Sequence, residues 1–351
     1  MGSALPMASR GWGLHTSSCV RRLALLLPLL LGTRARAEVA EVPVQPADAN
    51  RGDFWREVIT PHADEIASLL QKARNAVQQA DGYALTDLDA AGFEVRAHLY
   101  ADAYGMMHYA RRLAPDNVEV LTLLGRMADE VGKTRQAIEA LQTAYQLAGE
   151  RTSAEITGRL GWIHLRMGDL DTAVRYLRLA QGSISTPMGA QVLVHLAAAL
   201  AARGEMGSAI ETLASALPAQ AQGIYTTDVV LVMFALAVQY DRDEQRSAAF
   251  EVLDRLQTLQ QGSFAGQVQV ALAYVRFAPA EDQHYYQGLL YEAVGDYAEA
   301  RAEWAVFAAV DSPWRARALD HIAAIDAQRR ATPGTKVQTP IRIPRRPHRI
   351  P

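Results

Sequence analysis

Four sets of residues recur at a spacing of 36 positions, and this internal period constrains the fold more than any other feature of the sequence. The sets are Gly132, Gly168 and Gly204; Ala137, Ala173 and Ala209; Leu141, Leu177 and Leu213; and Ala144, Ala180 and Ala216. A period between about 20 and 50 residues is typical of repeat arrays, in which each unit packs on its neighbours. The period therefore predicts a stack of similar units and not one globular core.

Two amphipathic stretches flank the glycine within each period, so we predict that each unit is a pair of α-helices. The pairs are Val118–Val131 with Thr134–Leu147, Ala154–Met167 with Asp169–Ala180, and Gly189–Ala202 with Met206–Leu217. Glycine suits the turn because the residue that ends a helix commonly adopts a left-handed conformation. Asp169 and Glu205 follow two of these glycines, where they can cap or charge the next helix.

The pattern is weaker outside residues 118–222. We predict N-terminal helices with one degenerate repeat over 53–117, a second degenerate repeat over 228–260, and a helix without a partner at Phe264–Pro279. A clean repeat returns over 282–313, and a final helix, Trp314–Arg329, is expected to cap the array. The predicted solenoid thus covers residues 118–329, with clean repeats at 118–153, 154–188, 189–222 and 282–313.

The paired helices resemble the tetratricopeptide repeat family, whose pattern places a Leu-Gly step before an aromatic residue, then a turn, then a small residue. Gly125, Gly161 and Gly288 stand at the glycine of that step, Gly295 at the turn and Ala300 at the small position. The resemblance implies an all-α, right-handed superhelical solenoid with a C-terminal capping helix. The spacing of 36 residues departs from the family norm of about 34 residues, which indicates longer connections between repeats.

The resemblance also implies a concave groove that binds partner proteins and is lined by the first helix of each repeat. The expected groove residues are Glu119, Arg126, Asp129, Glu155, Arg159, Trp162, His195, Tyr285 and Leu289. Trp162, flanked by Arg126 and Arg159, is the best candidate for a binding hot spot. The alternative is that Trp162 packs against the helix of the next repeat. The groove positions contain no Lys or Asn, so a family clamp for a C-terminal carboxylate is not expected.

The N-terminus has the features of a secretory signal. Arg21 and Arg22 precede the apolar run Leu23–Leu31, and Ala35-Arg36-Ala37 matches a small-residue cleavage site. We therefore expect a signal peptide over 1–37, cleavage between Ala37 and Glu38, a flexible leader over 38–52, and a periplasmic location. The single cysteine, Cys19, lies in the part that cleavage would remove.

The charge is distributed unevenly along the chain. The two ends, 1–37 and 331–351, contain ten of the 35 basic residues and none of the 38 acidic ones. An acidic body argues against nucleic acid as a partner, since phosphate binding needs clustered positive charge. The Pro- and Arg-rich tail, 330–351, favours an extended, disordered chain. It could be a solubilising end, an arm that binds an anionic surface such as lipid or wall polymer, or a segment that docks on the acidic body.

No catalytic signature occurs in the sequence. His62 and Glu65 have the spacing of metal ligands on a helix, but no second close pair accompanies them, and the nucleophile, nucleotide and zinc-protease motifs are absent. We therefore expect no enzyme activity, no cofactor and no resident metal. The sequence predicts a protein-interaction scaffold in an envelope-associated complex, and the alternative is a tether that binds membrane lipid or wall polymer through the basic tail.

Overall fold

The computed structural model describes residues 61–83, 90–182, 187–217, 225–259, 264–273 and 275–331. Within these ranges the secondary structure is helical, with fourteen α-helices, one 3-10 turn and no strand. The expected signal peptide and leader, the helix expected at Asp53, and the tail from residue 332 onward lie outside the described residues.

The helices follow one another along the chain with short connections. They are α1 Ala63–Tyr83, α2 Ala90–Leu113, α3 Val118–Glu130, α4 Thr134–Ala148, α5 Ala154–Arg166, α6 Leu170–Ala180, α7 Pro187–Ala202, α8 Met206–Ala216, α9 Thr227–Arg242, α10 Arg246–Leu259, α11 Phe264–Ala273, α12 Asp282–Ala293, α13 Tyr297–Ala308 and α14 Arg315–Ala331. The three clean pairs around the repeated glycines are found within one to two residues of the predicted bounds.

Consecutive helices pack as pairs, and the pairs stack into a solenoid. The pairs are α1 with α2, α3 with α4, α5 with α6, α7 with α8, α9 with α10 and α12 with α13, while α14 covers α13. The first helices of successive pairs also contact each other, α3 with α5, α5 with α7 and α7 with α9. These first helices therefore lie on the inner side of the curve, and the predicted all-α solenoid fold is confirmed.

The glycine of the Leu-Gly step is small because the second helix of its own pair crosses there. A methyl group on Gly161 would lie 2.5 Å from Leu177 Cγ, and one on Gly288 would lie 2.7 Å from Trp304 Cδ2. Gly125 meets the equivalent leucine, Leu141, at 2.5 Å. The alanine column is fully buried at the same crossings: Ala137, Ala173, Ala209 and Ala300. The recurrent alanine set that begins at Ala137 and the leucine set that begins at Leu141 thus mark the closest approach between paired helices.

The turn glycines adopt the left-handed conformation that the repeat pattern predicted. The φ angles are 78° at Gly132 and Gly168, 83° at Gly204 and 78° at Gly295. Asp169 caps the following helix by accepting a hydrogen bond from Thr172 N at 3.3 Å. Glu205 occupies the equivalent position without a side-chain capping bond, so its contribution there is limited to charge.

The helix predicted over Phe264–Pro279 is shorter than expected. Helix α11 ends at Ala273, and residues 275–281 are not helical. Proline disfavours a helical conformation at the residue before it and donates no hydrogen bond itself, so Pro279 is incompatible with the longer helix. At the C-terminus the capping helix α14 extends to Ala331, two residues beyond its predicted end. None of the helices in the described ranges has the length and apolar content needed to cross a membrane.

Candidate binding groove

Two adjacent carboxylates are buried at the C-terminal end of α3, on the inner side of the solenoid. The side chain of Asp129 is fully buried, and that of Glu130 is 7% exposed. Ionised groups at this depth are stable only when charged or hydrogen-bonding partners compensate their lost hydration. These two acids therefore determine what the surrounding residues must provide.

Three arginines provide that compensation. Arg166 Nη2 on α5 donates to Asp129 Oδ1 at 2.5 Å, and Arg159 Nη1 lies 3.6 Å from Glu130 Oε1. Arg276 comes from the non-helical segment 275–281; its Nη2 donates to Glu130 Oε1, and its Nη1 lies 3.8 Å from Asp129 Oδ2. The chain's own segment thus reaches across the inner face to α3, 146 residues earlier in the sequence.

The main chain of Arg276 is held as well. His195 on α7 donates from Nε2 to the carbonyl oxygen of Arg276 at 2.9 Å, which requires the tautomer with a proton on Nε2. Burial lowers the pKa of His195 to about 4, and the charges of Arg276 and Arg159 act in the same direction. His195 is therefore a neutral donor at pH 7, and it fixes the backbone of the segment at the residue whose side chain Glu130 binds.

Trp162 on α5 completes the site. Its ring stacks on that of His195, with centroids 4.8 Å apart, and Trp162 itself is 7% exposed. Within the described part of the chain, neither Trp162 Nε1 nor Asp129 Oδ2 has a hydrogen-bond partner, although both atoms are buried. We call Asp129, Glu130, Arg159, Trp162 and His195 the inner pocket. It contains two donors, Trp162 Nε1 and Arg159 Nε, and one acceptor, Asp129 Oδ2, that the segment 275–281 leaves unsatisfied.

The charges in the inner pocket perturb one another in the directions that their signs require. Burial alone would raise the pKa of Glu130, but Arg276 and Arg159 lower it below its usual value. Burial lowers the pKa of Arg159 to about 10, with the neighbouring charges of Arg126 and Arg276 acting in the same direction. The positive charge of Arg159 is thus destabilised by burial and by the nearby charge of Arg276.

A second ion pair adjoins the pocket on the side of α1 and α2. Arg126 Nη2 on α3 donates to Asp81 Oδ2 at 2.5 Å, and Tyr100 donates to the other oxygen of the same carboxylate at 2.7 Å. Burial raises the pKa of Tyr100, and the nearby charge of Glu130 raises it further. This ion pair is therefore coupled to the inner pocket electrostatically, through the charges of Arg126 and Glu130.

The structure brings together the central members of the expected groove. Asp129, Arg159, Trp162 and His195 form the inner pocket, and Arg126 lies beside it. The sequence left two possibilities for Trp162, contact with a partner protein or packing on the next repeat. In the structure Trp162 packs on His195 of the next repeat. Half-buried Glu155 interacts electrostatically with Arg159.

The remaining expected residues lie elsewhere. Glu119 pairs with Arg74 of α1 at an exposed position. Tyr285 is completely buried and Leu289 is 5% exposed, because α12 is covered by α9, α11 and α13. These two side chains are part of the core and are not available at a surface. Sequence reasoning missed Glu130 and Arg276; the nearest available signal was the Pro279 that interrupts the unpaired helix.

A second buried polar cluster joins the capping helix to the array. Asp241 at the end of α9 accepts hydrogen bonds from Tyr285 at 2.7 Å, from His321 Nε2 at 2.9 Å and from Arg317. The other ring nitrogen of His321 lies 2.8 Å from Glu292 Oε2, which also accepts from the indole of Trp304 at 3.1 Å. Helix α14 is thus anchored through Arg317 and His321.

Both ring nitrogens of His321 face carboxylates, so this residue is held as an imidazolium. Burial would lower its pKa, but the bonds to Asp241 and Glu292 prevail and raise the pKa to about 9. Burial likewise opposes ionisation of Asp241, yet His321, Arg317 and Tyr285 hold the pKa of that carboxyl well below its usual range. Each titratable group of this cluster is hydrogen-bonded to another member of it. The cluster therefore serves to anchor α14.

The fold and the inner pocket together define a class: a helical-pair solenoid whose inner face holds a non-helical segment by an arginine side chain and a backbone carbonyl. The family model of the tetratricopeptide repeat matches residues 154–184, which are α5, α6 and their connections. This match shows a tetratricopeptide repeat at residues 154–184, and the helix pairs on both sides of that repeat have the same helix–turn–helix arrangement. No curated protein sequence matches the chain.

The chain is similar to several solved structures. The chain is similar to MamA, with 20% identity, 48% of this chain and 92% of that one covered, and a TM-score of 0.38. For Pseudomonas aeruginosa pilF the identity is 12%, the match covers 74% of this chain and 99% of that one, and the TM-score is 0.44. For a tetratricopeptide repeat protein from Parabacteroides merdae the identity is 11%, the match covers 73% of this chain and 99% of that one, and the TM-score is 0.34. Because these TM-scores are below 0.5, the description of the fold depends on the helix-pair geometry and on the repeat match at residues 154–184.

Proposed function

We propose that this protein is a non-catalytic interaction scaffold that binds extended segments of partner proteins along the inner face of the solenoid. One observation carries the proposal: the inner pocket holds Arg276 of the non-helical segment 275–281 through Glu130 and through His195. Tetratricopeptide repeats generally mediate protein–protein interaction, and the buried charges of the pocket are arranged for recognition of a polypeptide. The features of the N-terminal sequence support an envelope-associated, periplasmic complex as the setting.

Site-specific photocrosslinking in cells tests this function. Thr122 lies one turn before Arg126 on the same face of α3 and is half-buried, so a photoreactive residue there should capture a partner. Leu179 on the outer helix α6 is 57% exposed and is the matched control. We expect discrete crosslinked proteins at position 122 and none at position 179. Equal crosslinking at both positions, or none at either, would contradict groove binding.

The alternative function is a surface tether, and the charge distribution favours it as the second candidate. Residues 331–351 contain five basic residues and no acidic one, so the tail could bind anionic lipid or wall polymer. Deleting residues 332–351 separates the two functions. The scaffold should retain its crosslinks at position 122 without the tail, whereas a tether should lose sedimentation with membranes or wall material.

The location is tested independently by the mature N-terminus. Cleavage between Ala37 and Glu38 predicts a periplasmic chain that begins at Glu38. Intact-mass measurement of the protein purified from the periplasmic fraction checks this expectation. A cytoplasmic protein that retains residues 1–37 would contradict export.

A further inference from the structure

We propose that the inner pocket is an arginine-recognition site, that the chain's own Arg276 occupies it, and that an arginine in an extended segment of a partner protein displaces Arg276. This inference rests on the proposed scaffold function and specifies the chemistry of the partner. The partner segment has an arginine between apolar residues, as Arg276 stands between Val275 and Phe277.

The first support is that one residue is recognised at two points. The guanidinium of Arg276 binds Glu130 and lies 3.8 Å from Asp129, while its carbonyl oxygen accepts from His195 at 2.9 Å. The carbonyl is present in every residue, whereas the guanidinium is specific to arginine, whose planar donors match a carboxylate. The pocket therefore contacts both the side chain and the main-chain carbonyl of a single arginine.

The second support is the charge balance. Apart from Arg276, the ion pairs contain three acids and three arginines, Asp81, Asp129 and Glu130 with Arg126, Arg159 and Arg166, and Glu155 is a fourth acid that interacts with Arg159. With Arg276 in place, four acids face four arginines. A partner arginine that takes the place of Arg276 restores the same balance, so the occupant can be exchanged without a change in net charge.

The third support is that the present occupant fits incompletely. Asp129 Oδ2 and Trp162 Nε1 are both buried, and among the described residues neither atom has a hydrogen-bond partner. A guanidinium seated closer to Asp129 would satisfy the acceptor, and a backbone carbonyl of the incoming segment would satisfy the indole. Unpaired buried polar groups are costly, so a segment that pairs them binds more favourably than residues 275–281 do.

The site is tested with a fluorescent peptide of this chain's residues 272–281 and the mature full-length protein. Arg276→Ala empties the pocket of its guanidinium, so we expect the peptide to bind this variant about tenfold or more tightly than it binds the unmodified protein. A peptide with glutamine in place of its arginine should not bind. In the Arg276→Ala background, Glu130→Gln should abolish binding, while Glu211→Gln, at an exposed site on α8, should leave it unchanged.

Equal affinity for the two proteins, or binding that survives Glu130→Gln, would overturn the proposal. Circular dichroism verifies that each variant is folded. If Arg276→Ala does not fold, hydrogen exchange on the unmodified protein replaces it: excess peptide should accelerate exchange in residues 275–281, and unchanged exchange would refute displacement. Crosslinks at position 122 that persist while the peptide fails to bind would refute the arginine site alone and leave the scaffold function standing.

Discussion

The anchoring of helix α14 should weaken as the pH rises, because it depends on the proton of His321. The pKa of this histidine is about 9 in the folded protein and about 6.5 in an unfolded chain. Since the folded pKa is the higher one, the stabilisation is complete below about pH 6.5 and is lost as the pH rises through 9. The difference of about 2.5 units corresponds to roughly 3 kcal/mol of the free energy of unfolding. His321 is 8% exposed, so screening by solvent reduces this value only slightly.

Two measurements determine whether the proton has this role. Titration of the His321 ring by NMR gives its pKa directly, and hydrogen exchange in residues 315–331 reports the local opening of α14 as a function of pH. Exchange should accelerate in the unmodified protein between about pH 6.5 and about pH 9.5, beyond the intrinsic increase with pH. In His321→Gln, α14 should open readily at all these pH values. The variant lacks the titrating group, so its opening free energy should be independent of pH.

The control is His98→Gln, which changes an exposed histidine on α2 and should retain the full pH dependence. The reasoning is refuted if His321 titrates at or below its ordinary value. It is also refuted if His321→Gln retains the same pH-dependent opening of α14 as the unmodified protein.

Three further predictions concern the repeats and the inner pocket. Gly161→Ala places a methyl group 2.5 Å from Leu177 Cγ, so it should lower the free energy of unfolding measured in urea by about 1–3 kcal/mol. The control, Gly105→Ala, has no atom within 4 Å of the added methyl group and should be neutral or stabilising. Gly168→Ala, at a φ of 78°, should cost about 1–2 kcal/mol, and an unchanged midpoint would contradict the role of the turn. Burial lowers the pKa of His195 to about 4 in the folded protein, so the unfolded chain binds this proton more tightly. The free energy of unfolding should therefore decrease by about 3 kcal/mol as the pH falls from 6.5 through 4. His195→Gln should abolish this decrease.

The regular part of the fold was predictable because its determinants are local. The turn glycines and the crossing residues recur in register, and each acts on a helix within about 20 positions of itself. The resemblance placed Gly161 at the Leu-Gly step and the period placed Leu177 in a recurrent set, and the spacing of the glycines predicted the left-handed turn at Gly168. Helical periodicity also placed Arg159 and Trp162 on the inner face, since both lie on one side of α5.

The occupant of the pocket could not be predicted, because it comes from a part of the chain without the repeat. Arg276 is 146 residues from Glu130 and 81 residues from His195, and no periodic pattern relates these positions. The position of Tyr285 and Leu289 along a single helix predicts that they line the groove, but the neighbouring helices α9 and α11 cover this face of α12.

The ion pair between Arg276 and Glu130 has a mechanical consequence for the whole array. A solenoid of units that contact only their neighbours behaves like a spring, whose pitch changes by small rotations added along its length. Arg276 joins a late part of this spring to its first clean repeat, and its carbonyl is tied to the third. These two contacts of Arg276 hold the intervening repeats at a fixed separation and so restrict their extension. An incoming arginine that displaces Arg276 would release this restraint, so occupancy of the inner pocket would set the elasticity of three repeats.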